Sequence, residues 1–212
     1  MGSDFDIIIR NAKLRRDPGN LNDIAVSGGN IIQIGNTIGG TAGQEIDAGK
    51  NLVTESFVNT HLHLCKVWTL DMMTEGALQA YREGTMGKAM SAIEQASVVK
   101  ENYDKSWIIP NARRAVALAA LHGNLHIRAF ADVDSKAKLE GVKALIAVRE
   151  EFKNIVDLQV VAFAQDGIVR EPGTTQLMQE AMELGADVVG GIPWIEFTDE
   201  DADEHIRVCF DL

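Results

Sequence analysis

Residues 106–134, SWIIPNARRAVALAALHGNLHIRAFADVD, contain the pattern that decides the fold. The first part predicts a helix that ends at Gly123, because a terminal glycine takes the left-handed conformation at little cost. The second part predicts a strand over about 126–133, whose apolar residues are nearly continuous. A helix followed at once by such a strand is typical of a parallel sheet that is covered by helices.

The same helix–strand unit recurs towards the C-terminus. A helix over about 135–152 is predicted to be capped by Ser135, because a serine side chain accepts a hydrogen bond from a free N–H group of the first turn. A second helix is predicted to be capped near Thr174 and to end at Gly185. Each is followed by an apolar strand. We therefore predict an α/β fold with four parallel strands, over about 57–65, 126–133, 156–164 and 187–193.

Residues 1–56 have a different pattern, of short apolar strands separated by turns. Two strands flank Ser27-Gly28-Gly29-Asn30, which predicts a hairpin turn. Another turn is predicted at Gly49-Lys50-Asn51. We therefore predict a small β domain over residues 1–56 and a larger α/β domain over residues 57–212.

A longer helical segment, roughly 70–122, separates the first two strands of the α/β domain. It is rich in helix-forming residues but is interrupted at Gly84 and Gly87. Two helices packed on the outside of the sheet are the preferred interpretation, and a segment that covers a substrate is the alternative.

The composition narrows the class of protein. The chain has 212 residues, 46% of them hydrophobic, which is ordinary for a globular protein. A formal net charge of −11 without a basic run argues against nucleic acid or an anionic membrane as partner. No apolar stretch approaches the ~20 residues that span a bilayer. Two cysteines, far apart, suggest no disulfide framework, so we predict a cytoplasmic protein.

His61 and His63 lie at the end of the first strand of the α/β domain, in FVNTHLHLCK (57–66). Side chains alternate along a strand, so the two histidines point the same way while Leu62 and Leu64 point to the other side. Two imidazoles that converge at the carboxyl end of a strand form half of a site for a divalent metal ion. Two polar residues that are satisfied by hydrogen bonds are the alternative.

The third and fourth strands also end in residues that suit a binding site. Phe163 and Gln165 share one face, and the Gln165 amide can donate and accept hydrogen bonds along the edge of a cyclic amide or amidine. A hydrogen bond to a loop is the alternative for Gln165. Trp194 follows the fourth strand and is either a stacking wall or a cap on the core. The carboxyl ends of the strands are where active sites lie in (β/α) barrels.

These segments together resemble the amidohydrolase superfamily, and within it the cytosine deaminase-like branch, whose members act on pyrimidine or triazine rings. The resemblance runs through nearly all of the chain and is carried by ESFVNTHLHL (55–64), HIRAFADVD (126–134), VDLQVVAFAQDGI (156–168) and GADVVGGIPWIEFTDE (185–200). It implies that residues 57–212 are the first half of a (β/α)8 TIM barrel, strands 1–4. Residues 1–56 are then the N-terminal part of a small β-sandwich domain.

The resemblance also implies roles for individual residues. His61 and His63 match two metal ligands, Gln165 matches the glutamine that contacts the substrate ring, and Phe163 lies beside it. The fourth strand has no lysine, which implies a single divalent ion, Zn²⁺ or Fe²⁺. The remaining ligands and the carboxylate that moves protons are expected beyond Leu212, so no catalytic residue is assigned within the chain. We expect the chain to be the N-terminal portion of a longer polypeptide and to be inactive alone.

Three positions depart from the family pattern. Cys65 stands where an aspartate is expected, and Phe130 and Trp194 stand where histidine is common. These changes argue against cytosine itself as the substrate and favour a more apolar or N-alkylated ring. Because the predicted strand runs to residue 65, Cys65 is expected to share the inward face with the two histidines, and a role as an extra ligand is a minor alternative.

Two functions are therefore considered. The first is a metal-dependent hydrolase that deaminates a cyclic amidine such as a pyrimidine or triazine. The second is a degenerate, non-catalytic barrel that binds a small ring compound or a partner. A nucleotide-binding doubly wound fold is disfavoured, because no glycine-rich phosphate loop follows any strand. The sequence is compatible with a homo-oligomer.

Overall fold

A computed structural model describes residues 2–72 and 99–212 of the chain. It divides into two compact units, Met1–Glu55 and Ser56–Leu212. The predicted interruptions at Gly84 and Gly87, and the alternative of a segment that covers a substrate, lie outside the described residues.

The first unit is one mixed sheet of five strands. The strands are β1 (Phe5–Leu14), β2 (Asp17–Ser27), β3 (Asn30–Gly35), β4 (Ala42–Asp47) and β5 (Leu52–Val53). Their order is β3-β2-β1-β4, and β5 also pairs with β1. The hairpin between β2 and β3 is confirmed, and its two central residues, Gly28 and Gly29, have φ values of 58° and 76°, which glycine adopts without strain. The description of this unit as part of a β-sandwich stays a prediction.

The second unit is a four-stranded parallel sheet with helices between the strands, as the helix–strand pattern predicts. In chain order the strands are β6 (Phe57–Leu62), β7 (Asn124–Asp132), β8 (Asp157–Ala164) and β9 (Val188–Gly191). The helices are α1 (Lys105–Leu121), α2 (Glu140–Phe152), α3 (Thr174–Glu183) and α4 (Asp199–Asp211). This arrangement is consistent with part of a (β/α)8 barrel. Among the helices of the described ranges, none is both long and apolar enough to cross a membrane.

The core of the second unit lies between the sheet and the helices. Along β7, Ile127, Ala129 and Ala131 are buried in this core, while His126 and Arg128 on the opposite face are exposed. The alternation follows from the two-residue period of a strand. The other face is left for the polar and aromatic residues of the site.

The start of α2 differs from the prediction. The helix begins at Glu140, and Ser135 does not cap it. The Asp134 carboxylate instead accepts backbone N–H groups from Lys136 and Ala137, at 2.9 and 2.8 Å. A carboxylate is a stronger acceptor than a hydroxyl, so it organises a separate turn ahead of the helix. The Ser135 hydroxyl bonds to a glutamate side chain.

Candidate metal and ring-binding site

His61 and His63 meet at the carboxyl end of β6. Their Nε2 atoms are 3.2 Å apart and their ring centroids are 5.0 Å apart. Burial lowers the pKa of His61, and the nearby charges of His63 and Lys66 lower it further, which favours the neutral imidazole that binds metals. The structure thus brings the two predicted residues together. Their role as metal ligands stays a prediction.

Asp132, at the end of β7, lies behind His63. The Asp132 side chain is fully buried, and its Oδ1 is 3.6 Å from His63 Nδ1. Within the described residues, neither of these two buried atoms has a hydrogen-bond partner. A proton on Nδ1 that points towards the carboxylate would leave the Nε2 lone pair facing His61. Two histidines that both bind a metal ion through Nε2 need this tautomer.

The charge of Asp132 is held by two lysines. Lys66 Nζ donates to Asp132 Oδ2 at 2.8 Å, and Lys100 Nζ lies 3.8 Å from the same oxygen. Burial alone would raise the pKa of Asp132, but the Lys66 charge, the His63 contact and the Lys100 charge outweigh it and hold the pKa well below its ordinary value. Asp132 is therefore ionised at neutral pH.

Cys65 does not share the inward face with the histidines, so that expectation is wrong. The strand ends at Leu62, and Leu64–Lys66 form a turn of 3₁₀ helix, which ends the two-residue alternation. The Cys65 side chain is buried in the core on the helix side, where its Sγ lies 3.3 Å from the Tyr103 hydroxyl. Burial, together with the charge of Asp132, raises the pKa of Cys65 to about 12. The thiol is therefore neutral, and the minor alternative of an extra ligand loses its geometric basis.

Aromatic rings line the same region. Phe130 lies 4.3 Å from His61 and 4.9 Å from Phe163, and Phe163 lies 5.4 Å from His63, between ring centroids. Gln165, just beyond β8, is 7% exposed. Such a surface of apolar rings with a few polar groups is typical of a site for a small planar ligand.

Trp194 stands apart from this cluster. It lies in a short 3₁₀ helix, Pro193–Ile195, and is 57% exposed. No hydrogen bond or ring contact within the described ranges joins it to the residues above. Its role as a substrate contact stays a prediction.

His205 lies inside the second unit, away from the histidine pair. It is fully buried on α4, and its Nδ1 is 2.7 Å from Glu196 Oε1. Glu196 also accepts backbone N–H groups of Ile168, Val169 and Arg170. The pair therefore ties two loops at this end of the sheet together.

Sequence reasoning missed the buried charges. Lys66, Lys100 and Asp134 have no local pattern that distinguishes them from surface residues, and their partners are far away in the sequence. Asp132 had a signal, because it lies at the tip of the same strand face as Phe130. Within the described residues, no group of three His, Cys, Asp or Glu side chains could hold a metal ion. The described part of the chain thus brings together two histidine rings and a buried carboxylate behind one of them.

The chain is similar in sequence to known proteins. Residues 44–211 match the sequence profile of the amidohydrolase family. The chain is 36% identical over 192 residues to N-isopropylammelide isopropyl amidohydrolase of Pseudomonas sp. (strain ADP), a match that covers 91% of this chain and 46% of that protein.

Two crystal structures show the same fold. One is 5-methylcytosine deaminase from Klebsiella pneumoniae liganded with phosphonocytosine, with a TM-score of 0.82, 31% identity, and coverage of 96% of this chain and 48% of that one. The other is N-isopropylammelide isopropylaminohydrolase from Burkholderia multivorans ATCC 17616, with a TM-score of 0.75, 23% identity, and coverage of 100% and 50%. The chain spans about half the length of the proteins that it matches.

Proposed function

The chain belongs to the amidohydrolase family, and from this premise we propose that it forms part of a hydrolase that cleaves a C–N bond of a cyclic amidine such as a pyrimidine or triazine. The observation that carries the proposal is the 3.2 Å approach of His61 Nε2 and His63 Nε2 beside a wall of aromatic rings. Two relatives named for such chemistry, a triazine amidohydrolase and a methylcytosine deaminase, support the class of substrate.

The side chains fit a single divalent ion, Zn²⁺ or Fe²⁺. His61 is held neutral, and His63 has a buried carboxylate, Asp132, behind its Nδ1, which is the usual support of a ligating imidazole. His61 and His63 would hold the ion. When bound, such an ion makes water acidic enough to supply hydroxide near neutral pH. The family is metal-dependent.

The remaining residues would orient the ring and keep water out. Phe130 and Phe163 offer apolar surface against the faces of a planar substrate. Gln165 would form hydrogen bonds with a polar edge of the ring. Trp194, which follows β9, is proposed as a further substrate contact. Phe130 makes this wall more apolar than a histidine there would, which favours an N-alkylated ring over cytosine.

The test is amine release by the natural-length protein across a panel of pyrimidines and triazines, with and without alkyl groups on the leaving nitrogen. Removal of one proposed ligand, in His61→Ala or His63→Ala, should lower the rate of amine release by more than the about 10- to 100-fold that is typical when a residue that only supports a ligand is lost. The amount of bound metal, measured by mass spectrometry, should fall in the same variants. His122→Ala is the control, because His122 lies at the exposed end of α1.

A second candidate is a non-catalytic barrel that binds a ring compound. It is favoured by Phe130, Trp194 and the buried, neutral Cys65, which stand at positions where the family resemblance leads us to expect polar side chains. Less than about 0.2 metal ion per natural-length chain, together with ring binding but no amine release, would favour this candidate, because the hydrolysis needs the ion to generate hydroxide. Stoichiometric metal with amine release would exclude it.

A further inference from the structure

Asp132 has hydrogen-bond donors on one carboxylate oxygen and none on the other. Lys66 Nζ lies 2.8 Å and the Tyr103 hydroxyl 3.3 Å from Oδ2. A carboxylate oxygen has about two lone-pair sites, so these two donors fill Oδ2. Within the described residues Oδ1 has no hydrogen-bond partner, and it lies 3.6 Å from His63 Nδ1, which has none either. The orientation of the carboxylate therefore decides what His63 faces.

Tyr103 has one hydroxyl hydrogen, and the charge of Asp132 decides where that hydrogen goes. An ionised carboxylate only accepts hydrogen bonds, so Tyr103 donates its hydrogen to Oδ2. Burial raises the pKa of Tyr103, and the neighbouring Cys65 and Asp132 groups raise it further, so the phenol keeps its hydrogen at neutral pH. The hydrogen of Tyr103 is thus committed to Asp132.

Cys65 completes a ring of hydrogen bonds around this contact. Its Sγ lies 3.3 Å from the Tyr103 oxygen, which has no second hydrogen to donate, so the thiol is the donor there. Cys65 Sγ in turn accepts the backbone N–H of Asp132 at 3.5 Å. An ionised aspartate at position 65, as in the family pattern, would only accept and would compete with Asp132 for the tyrosine hydrogen. The neutral thiol leaves that hydrogen to Asp132.

Tyr103 is the more rigid of the two donors on Oδ2. The Lys66 side chain is a flexible chain that also donates to the Gln165 side chain. Tyr103 is buried and stands edge-on to Trp107, with 5.6 Å between the ring centroids and 80° between the planes. A Cβ on Gly141 would lie 3.7 Å from the Tyr103 ring, so α2 packs closely against it as well. This packing fixes the hydroxyl, and the hydroxyl in turn restrains the carboxylate.

We propose that Tyr103 is a positioning residue of the proposed metal centre, which holds Asp132 Oδ2 from the helix side of the sheet so that Oδ1 is turned towards His63 Nδ1. The inference rests on the proposed function for the role of His63 as a ligand. A hydrogen on Nδ1 that faces a fixed carboxylate oxygen keeps the Nε2 lone pair free and the ring in one orientation. The segment just before α1 thereby supports the site without touching it.

Zn²⁺ binding to the natural-length protein tests this role. Tyr103→Phe removes the hydroxyl and keeps the ring. It should weaken Zn²⁺ binding, measured by competition with a chelating dye, by about tenfold, the lower end of the loss that follows removal of a partner that supports a ligand. Amine release should fall at limiting Zn²⁺ and recover in excess Zn²⁺. An unchanged Zn²⁺ affinity would overturn the inference.

Trp107→Phe is the matched control. It changes the same group of packed rings and removes a hydrogen bond of 2.8 Å to the Asn102 carbonyl, but Trp107 makes no hydrogen bond to Asp132. This variant should bind Zn²⁺ as the wild type does. A loss equal to that of Tyr103→Phe would assign the effect to packing and would overturn the positioning role.

A double-mutant cycle shows whether Tyr103 acts through Asp132. Asp132→Asn should itself weaken Zn²⁺ binding, because the negative charge behind His63 is lost. In the Asp132→Asn background, Tyr103→Phe should cause little further loss, since the two changes affect one chain of contacts. Losses that multiply in the double variant would show that Tyr103 acts by another route and would overturn the inference.

One measurement requires no variant and covers a Tyr103→Phe protein that fails to fold. The protonated and the bare ring nitrogen of a neutral histidine give separate ¹⁵N resonances, and in the metal-free wild-type protein His63 should carry its hydrogen on Nδ1. The hydroxyl proton of Tyr103 should exchange slowly with solvent. A hydrogen on His63 Nε2, or rapid exchange of the Tyr103 hydroxyl, would overturn the inference.

The outcomes separate this inference from the proposed function. Zn²⁺ affinity and the ¹⁵N resonances are measured without hydrolysis. Weaker Zn²⁺ binding in Tyr103→Phe, together with no amine release from any ring by the wild type, would refute the proposed function alone. Amine release by the wild type, together with an unchanged Zn²⁺ affinity in Tyr103→Phe, would refute this inference alone.

Discussion

Removal of the Lys100 side chain tests most directly how much the buried ion pairs contribute to the stability of the protein. Its Nζ lies 2.6 Å from Asp166 Oδ1 and 2.9 Å from Asp134 Oδ2, and the lysine side chain is 1% exposed. Burial alone would lower the pKa of Lys100, but the charges of Asp132, Asp134 and Asp166 outweigh it and hold the pKa above its ordinary value. The lysine is therefore charged at neutral pH, inside the protein.

Lys100→Met removes this charge and keeps roughly the same volume. Asp134, 1% exposed, then loses the ion pair, although its other oxygen keeps the N–H groups of Lys136 and Ala137. The Asp166 side chain is 16% exposed and can rehydrate. Removal of one partner of a buried ion pair costs about 3–5 kcal/mol. Because one of the two carboxylates can rehydrate, we expect the lower end, a loss of about 3 kcal/mol in the free energy of unfolding.

Urea unfolding measures this loss. With an m-value of about 2 kcal/mol per M, the midpoint should fall by about 1.5 M. Lys143→Met is the matched control, because Lys143 pairs with Glu140 on the surface and should change stability by less than about 0.5 kcal/mol. The double variant Lys100→Met/Asp134→Asn should recover part of the loss, since the almost fully buried carboxylate that lost its ion pair is then replaced by a neutral amide. A Lys100→Met midpoint equal to that of the control would refute the reasoning.

Three further outcomes are expected. The His205 contact and three backbone N–H groups outweigh burial and lower the pKa of Glu196, so its contribution to stability is complete above its ordinary pKa and is lost as the pH falls. Glu196→Gln should therefore flatten the dependence of the urea midpoint on pH between about pH 5 and pH 3, and an unchanged slope would contradict this. Gly191→Ala should destabilise the protein by about 1–3 kcal/mol, measured by thermal unfolding, because a Cβ there would overlap His205 Nε2. Gly19→Ala is the control, because Gly19 has open space around it, and its melting temperature should stay within a few degrees of wild type. Cys65, with a pKa raised to about 12, should stay unlabelled by iodoacetamide at neutral pH until urea unfolds the chain, as peptide mapping would show; rapid labelling of the folded protein would contradict its burial.

The sequence was sufficient to predict a structural feature where that feature depends on a local pattern. The faces of β7 and the approach of His61 to His63 follow from the two-residue period of a strand, which needs no knowledge of neighbouring elements. The same rule failed at Cys65, because the strand gives way to a 3₁₀ turn after Leu62, and the period changes with it. The start of α2 was misplaced for a related reason, since Asp134 competes with Ser135 for the same backbone N–H groups.

The sequence by itself determined the order of strands and helices, the two regions of the chain, and the histidine pair, because each depends on periodicity or on turn residues within a few positions. Only the tertiary structure decided which charges are buried together. Lys66 reaches Gln165 across 99 positions and Asp132 across 66, and nothing in the local sequence separates these lysines from solvated ones. The packing of parallel strand ends side by side creates those contacts, and burial then makes their charges strong.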